Sequence, residues 1–199
     1  MKLSFYLATK NPNKLREVRQ VLKDTGITVM PCPRDVIFPE ETGSTFEENA
    51  LMKARYLKKI LGEENVAGED SGLSVAGLDG LPGVQSARFA GEDCDDGKNI
   101  GKLLKLLEAC KDSGCRKAEF VTVVAFISPR EEKIFRGSVE GVITLSPRGR
   151  NGFGYDPVFE IPGTGRTFAE LAASEKNSLS HRAAAFRNLA EYLIKRYNT

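Results

Sequence analysis

The stretch LSFYLATKNPNKLREVRQVLKDTGITVM, residues 3–30, decides the fold class. Leu3 to Ala8 is a short apolar run of strand length. Asn11-Pro12 follows at once, a capping residue and then a proline suited to the first helical position. Leu15, Val18 and Leu22 recur at helical spacing, and Gly26 can end the helix. Ile27 to Met30 reads as a second strand. Strand, helix, strand in immediate succession predicts a partly parallel sheet with helical crossovers, the start of an α/β fold.

Outward from there the alternation continues. Pro31 to Gly43 is a proline-containing acidic loop. Thr45 and Glu48 have capping-box spacing before a helix whose stripe is Phe46, Ala50, Ala54, Leu57 and Leu61. Val66–Gly68 and Leu73–Ala76 read as short strands around an acidic turn, Glu69-Asp70-Ser71-Gly72. Ser86 to Gly91 reads as an exposed loop. Asp95 to Cys110 is expected to be helical, with Ile100, Leu103, Leu104 and Leu107 facing in. Residues 117–127 and 133–145 are longer β-rich runs joined by Ser128-Pro129-Arg130, an antiparallel pair, and a second lobe is expected around residues 117–147. Residues 147–156 form a Gly-rich loop, Thr167 to Leu171 starts a short helix, and Ser180 caps a last one.

Composition bounds the function. The 199 residues carry 29 basic and 27 acidic side chains, net +2, so bulk attraction to nucleic acid has no basis. No window approaches the ~18 apolar residues of a membrane span. Four cysteines are present, none in a C-x-x-C pair, and with no secretion signal free thiols in a reducing cytoplasm are expected. The single histidine, His181, excludes two-histidine metal motifs.

Four groups of residues can carry chemistry. Thr9-Lys10-Asn11-Pro12-Asn13-Lys14 joins a strand to a helix start, where free N–H groups and the dipole favour phosphate; a plain capped helix reads the same way. Glu40, Glu41, Glu69 and Asp70 can meet around a hard cation such as Mg²⁺, or can be solvated loop acids. Gly152-Phe153-Gly154-Tyr155-Asp156-Pro157 can present aromatic rings to a flat base, or can be a hairpin end with buried aromatics. Lys176 and Ser180-His181-Arg182 can contact phosphate or a carbonyl-bearing base, or cap a surface helix.

Taken in this order along the whole chain, the blocks resemble the inosine triphosphate pyrophosphatase family, also called dITP/XTP pyrophosphatases. The resemblance rests on T-x-N-x-x-K at 9–14, Glu40-Glu41-Thr42-Gly43 with Phe46 to Ala50 and Lys53-Ala54-Arg55, and Asp70-Ser71-Gly72-Leu73. It continues through Leu81-Pro82-Gly83, Ser86-Ala87-Arg88, Gly152 to Pro157, Ala169-Glu170-Leu171, Glu175-Lys176-Asn177 and Ser180-His181-Arg182. Position 10 is Lys where the family pattern has glycine, and position 69 is Glu where relatives often carry Asp.

The resemblance implies an elongated, two-lobed α/β domain over residues 1–199, with a long mixed central sheet flanked by helices and the active site in the cleft between lobes. It implies a homodimer that cleaves ITP, dITP and XTP to the monophosphate and pyrophosphate, in the cytoplasm that the cysteines already suggest. Thr9, Lys10, Asn11, Pro12, Asn13, Lys14 and Lys53 would bind phosphates. Glu40 and Asp70 would hold Mg²⁺, with Asp70 also the general base and Ser71 on the substrate beside it. Phe153, Gly154, Tyr155 and Asp156 would form the base loop, and Lys176, His181 and Arg182 would close on the nucleobase. The rival readings are a pyrophosphatase for modified pyrimidine or methylated nucleotides, a nucleotide sensor without turnover, and an RNA-binding protein.

Overall fold

The structure is a computed structural model that describes residues 3–110, 112 and 114–197. Its sheet has six strands in the order β2-β1-β3-β4-β5-β6. These are β1 (Ser4–Ala8), β2 (Thr28–Pro31), β3 (Val66–Val75), β4 (Lys117–Ile127), β5 (Glu132–Ile143) and β6 (Phe159–Glu160). The β-α-β opening is borne out: α1 (Pro12–Val21) links β1 to a parallel β2, with Ser4 opposite Thr28 and Tyr6 opposite Met30. Strand β3 lies parallel on the other side of β1, pairing Ala8 with Gly68. At the far edge β6 runs antiparallel to β5, so the sheet is mixed.

The remaining helices are α2 (Phe46–Leu61), α3 (Asp96–Leu106), α4 (Ala173–Leu179) and α5 (His181–Tyr197). Their starts follow local chemistry. Asn11 caps α1 through its side chain, Thr45 and Glu48 form the expected capping box on α2, and Asp95 accepts the Lys98 amide at the start of α3. The Ser180 hydroxyl accepts the Ala183 amide on α5.

Two compact units divide the chain. The first holds the described parts of Met1–Asp70, Thr122–Gly137 and Ser180–Thr199. Its core joins Phe5, Leu7, Val18, Val124, Phe126, Phe186 and Leu189. The second holds those of Ser71–Val121 and Ser138–Leu179, around Leu73, Leu103, Phe120, Tyr155, Phe159 and Phe168. A lobe at 117–147 is therefore not what forms. Strands β4 and β5 are each divided between the units, because long strands supply apolar residues to both cores.

Three further expectations are corrected. Residues 69–72 are not a turn but the middle of β3, and residues 66–70 are all buried. The acids escape water because basic side chains meet them, a tertiary effect that a local reading of Glu-Asp-Ser-Gly misses. Residues 83–88 form a short 3-10 helix with Ser86 buried, rather than an exposed loop. Cys110 and Cys115 are joined as a disulfide, their Cα atoms 6.2 Å apart and so within bridging range, while Cys32 and Cys94 are free.

Candidate active site

The first unit places β1 and β3 side by side and parallel, with α1 leaving β1 toward β2 on the opposite side. That is a topological switch point, where the crevice outside the carboxyl ends of neighbouring strands receives ligands in open α/β sheets. The residues there are Thr9 to Lys14, Glu69 and Asp70.

Side chains alternate along a strand, so adjacent Glu69 and Asp70 point to opposite faces. Asp70 meets α2. Its Oδ1 accepts from Lys53 Nζ at 2.8 Å and its Oδ2 from Asn49 Nδ2 at 3.3 Å. Lys53 also reaches Glu41 Oε1 at 3.2 Å. This close approach needs Gly68, whose absent Cβ would strike the α2 backbone at Ala50 and Ala54. Burial pushes the Asp70 carboxyl above its ordinary value, with Lys53 and Lys14 opposing and Glu41 adding to the rise.

Glu69 meets α1 and α5. Its Oε1 accepts from Arg182 Nε at 2.8 Å and lies 3.7 Å from Lys14 Nζ, and Arg182 Nη1 donates to Glu17 Oε2 at 2.5 Å. Glu17, Glu69 and Arg182 are all buried. Burial favours the neutral acid at Glu69, but Arg182 and Lys14 outweigh it and bring the carboxyl down to about 2. Lys14 moves downward, chiefly through burial and against the pull of Glu69. Neighbouring acids are thus driven in opposite directions, one firmly ionised and one raised toward a proton-accepting range.

In the second unit the loop over 152–156 is built around Asp156. Its Oδ2 accepts the Phe153 amide at 2.9 Å and Lys176 Nζ at 2.5 Å. Gly152 is required here: its φ is +77°, and a Cβ would overlap the Asp156 carboxylate. Lys176 Nζ lies 4.9 Å from the centre of the half-buried Phe153 ring. Tyr155 is buried in the core, its hydroxyl donating to the Ser86 carbonyl at 2.9 Å. Of the aromatic pair, Tyr155 belongs to the core and Phe153 is the half-buried one.

The predicted residues therefore separate by unit. Lys14, Lys53 and Asp70 gather in the first, beside α1; His181 and Arg182 begin α5 there, both buried. Phe153, Gly154, Tyr155, Asp156 and Lys176 gather in the second, as does the half-buried Ser71. Pro12 opens α1, and the Thr9 and Asn11 side-chain oxygens accept the amides of Asn11, Asn13 and Lys14. Lys10 turns away, donating to the carbonyls of Pro33 and Arg34 at 2.8 Å each. Glu40 is exposed, and it is Glu41 that joins Lys53 and, through it, Asp70. Sequence reading missed Asn49 and Glu17. Each is a polar residue on the buried face of a helix, which is the signal that marks them.

A divalent ion is compatible with these side chains. Among the described residues no group of three or more His, Cys, Asp or Glu gathers to form a cage. Mg²⁺ asks for less, one or two carboxylates completed by water and substrate phosphate. Asp70 and Glu41 share the Lys53 ammonium, so one cation already stands between two carboxylates.

A model of the Ham1 family matches residues 5–192. The chain belongs to the Ham1 family. It is 46% identical over 196 residues to a dITP/XTP pyrophosphatase of Caldanaerobacter subterraneus subsp. tengcongensis, covering 98% of each chain. It is 48% identical over 190 residues to the dITP/XTP pyrophosphatase of Bacillus licheniformis, covering 94% of this chain and 96% of that one. Among solved structures, a HAM1 protein from Coxiella burnetii superposes with a TM-score of 0.87 at 43% identity, covering 97% of this chain and 99% of that one. The Staphylococcus aureus Ham1 protein gives 0.84 at 39% identity, covering 96% and 98%. The six-stranded mixed sheet flanked by helices is thus a Ham1 fold. No helix among the described residues is long and apolar enough to cross a membrane.

Proposed function

We propose that this Ham1 protein hydrolyses deaminated purine nucleoside triphosphates (ITP, dITP and XTP) to the monophosphate and pyrophosphate, clearing them from the nucleotide pool. Relatives named dITP/XTP pyrophosphatases, at 46% and 48% identity, support the substrate class. The observation that carries the chemistry is Asp70, a buried carboxylate raised in pKa and held by Lys53 and Asn49 at the mouth of a phosphate-type crevice.

Asp70 takes the proton of the water that attacks the α-phosphorus, a role that needs a carboxylate poised above its usual range. Lys14 and Lys53 neutralise charge on the triphosphate oxygens, and the amino-terminal turn of α1 adds its dipole. Mg²⁺, held by Asp70 with Glu41 or Glu40, would supply further charge neutralisation and orient the phosphates. Phosphoryl chemistry of this kind asks for positioning and electrostatics rather than a covalent nucleophile. Phe153 offers its ring to the base, while Asp156 and Lys176 hold the loop that presents it. His181 lies at the start of α5, and a donor there favours a 6-oxo purine, since adenine's amino group would leave it unpaired at a cost of ~1–3 kcal/mol; Arg182 beside it is engaged by Glu17 and Glu69 and holds that end of α5. The resemblance also leads us to expect a homodimer, which light scattering on the purified protein measures.

Pyrophosphate release from ITP, XTP, dITP, ATP, GTP and CTP, with Mg²⁺ and with EDTA, tests the reading. Fast, metal-dependent release from ITP, XTP and dITP with little from ATP and GTP is expected. Equal rates on all six substrates would remove the cleansing role, and no release from any would point to a nucleotide sensor.

A further inference from the structure

The proposed nucleobase loop is tied down at a second point that the catalytic reading does not use. Gly154 N donates to Asp96 Oδ2 at 2.6 Å, and Asp96 is the first residue of α3, 58 positions away in sequence. Asp96 itself is fixed in place. Asp95 caps the helix through the Lys98 amide at 2.7 Å, and buried Asn99 one turn on accepts the Ala90 amide at 2.7 Å and donates to the Ala87 carbonyl at 2.8 Å. All of these residues lie in the second unit.

The loop needs this tie. Gly152 and Gly154 both have positive φ, +77° and +62°, so the amides of Phe153 and Gly154 are held in a conformation that only glycine-rich backbone adopts easily. Asp156 secures the first amide, at 2.9 Å, and Asp96 the second. Around Gly154 there is open space, with nothing within 4 Å of where a Cβ would stand. Phe153, whose ring is proposed to meet the base, has its own amide and that of the next residue secured in this way.

We propose that Asp96 is a positioning residue for nucleobase binding: it fixes Gly154, and through it the direction of the Phe153 ring. The proposal rests on the assignment of residues 152–156 to the base. Asp96 makes no direct contact with substrate in this account, so its effect falls on base affinity and not on the phosphate chemistry of the first unit.

The test uses the full-length protein with Asp96→Ala and Asp96→Asn, steady-state kinetics on ITP, and product inhibition by IMP and by inorganic pyrophosphate. Loss of a charge-assisted hydrogen bond predicts that Asp96→Ala raises KM for ITP about tenfold and weakens IMP inhibition by a similar factor. Its kcat and its inhibition by pyrophosphate should stay within about twofold of wild type. Asp96→Asn, which keeps an acceptor oxygen, should recover most of the loss. Unchanged KM and IMP inhibition would overturn the proposal, and so would a fall in kcat and pyrophosphate inhibition in step with KM, the pattern of general destabilisation. Wild-type protein that turns over no purine triphosphate would instead overturn the base assignment beneath it, before any variant is compared.

Discussion

Replacing Arg182 by Met is the perturbation whose size the structure sets most directly. The guanidinium holds Glu69 at 2.8 Å and Glu17 at 2.5 Å, and all three residues are buried. Removing one partner of a buried ion network leaves uncompensated charge, which costs about 3–5 kcal/mol. The same contact seen from the Glu69 carboxyl gives a figure of similar size. Its fall from an ordinary 4.5 to about 2 corresponds to about 3 kcal/mol of preference for the charged form in the folded state. A loss near 3 kcal/mol lowers Tm by about 6–12 °C in a chain of this length.

The pH dependence carries the stronger test. Glu69 is depressed in the wild type, so its contribution is present above pH 4.5 and is lost as pH falls toward about 2. Without Arg182, burial dominates and the folded-state value rises above the unfolded one. The variant then gains stability as pH falls toward the unfolded value. Urea unfolding of both proteins at pH 7 and pH 4.5, followed by circular dichroism, should show the deficit largest at pH 7 and shrinking in acid. A deficit below about 1 kcal/mol at pH 7, or one of equal size at both values, would refute the argument that Arg182 is what makes a charged Glu69 tolerable.

Other expectations concern turnover. Asp70→Asn should retain ITP binding by calorimetry and lose ~10²–10⁴-fold in kcat, the usual span for a general base. Because burial raises Asp70 in the free protein and the base acts deprotonated, wild-type kcat/KM should climb with pH along an acid limb above the ordinary aspartate value of 3.8, and a kcat/KM that does not change across the acid range would remove the base assignment. Glu41→Gln should raise the Mg²⁺ concentration for half-maximal rate about tenfold while Glu40→Gln leaves it within about twofold; the reverse order would return the metal to Glu40. Gly68→Ala should cost about 1–3 kcal/mol by forcing α2 away from β3, with a parallel loss of rate as Lys53 and Asn49 shift from Asp70. Normal stability in that variant would show that the two elements separate freely.

Sequence alone determined what depends on neighbours along the chain. The starts of α1, α2 and α5 were legible at Asn11-Pro12, Thr45 with Glu48, and Ser180, because a capping side chain bonds to amides two or three residues on. The parallel β1–β2 pair followed from the length and order of the runs, and the chemistry-bearing blocks followed from their fixed order. Only the tertiary structure decided the rest. Glu69-Asp70-Ser71-Gly72 looked like a turn, yet it continues β3, because Lys53, Lys14 and Arg182 arrive from other elements to compensate the acids. Tyr155 looked like a stacking ring until the core of the second unit took it, and Arg182 looked like a free donor until Glu17 and Glu69 occupied it. A residue's local sequence sets its backbone preference and its chemistry. Which face it turns to, and which charge it meets there, is set by strand alternation and helix packing, and those depend on partners distant in sequence.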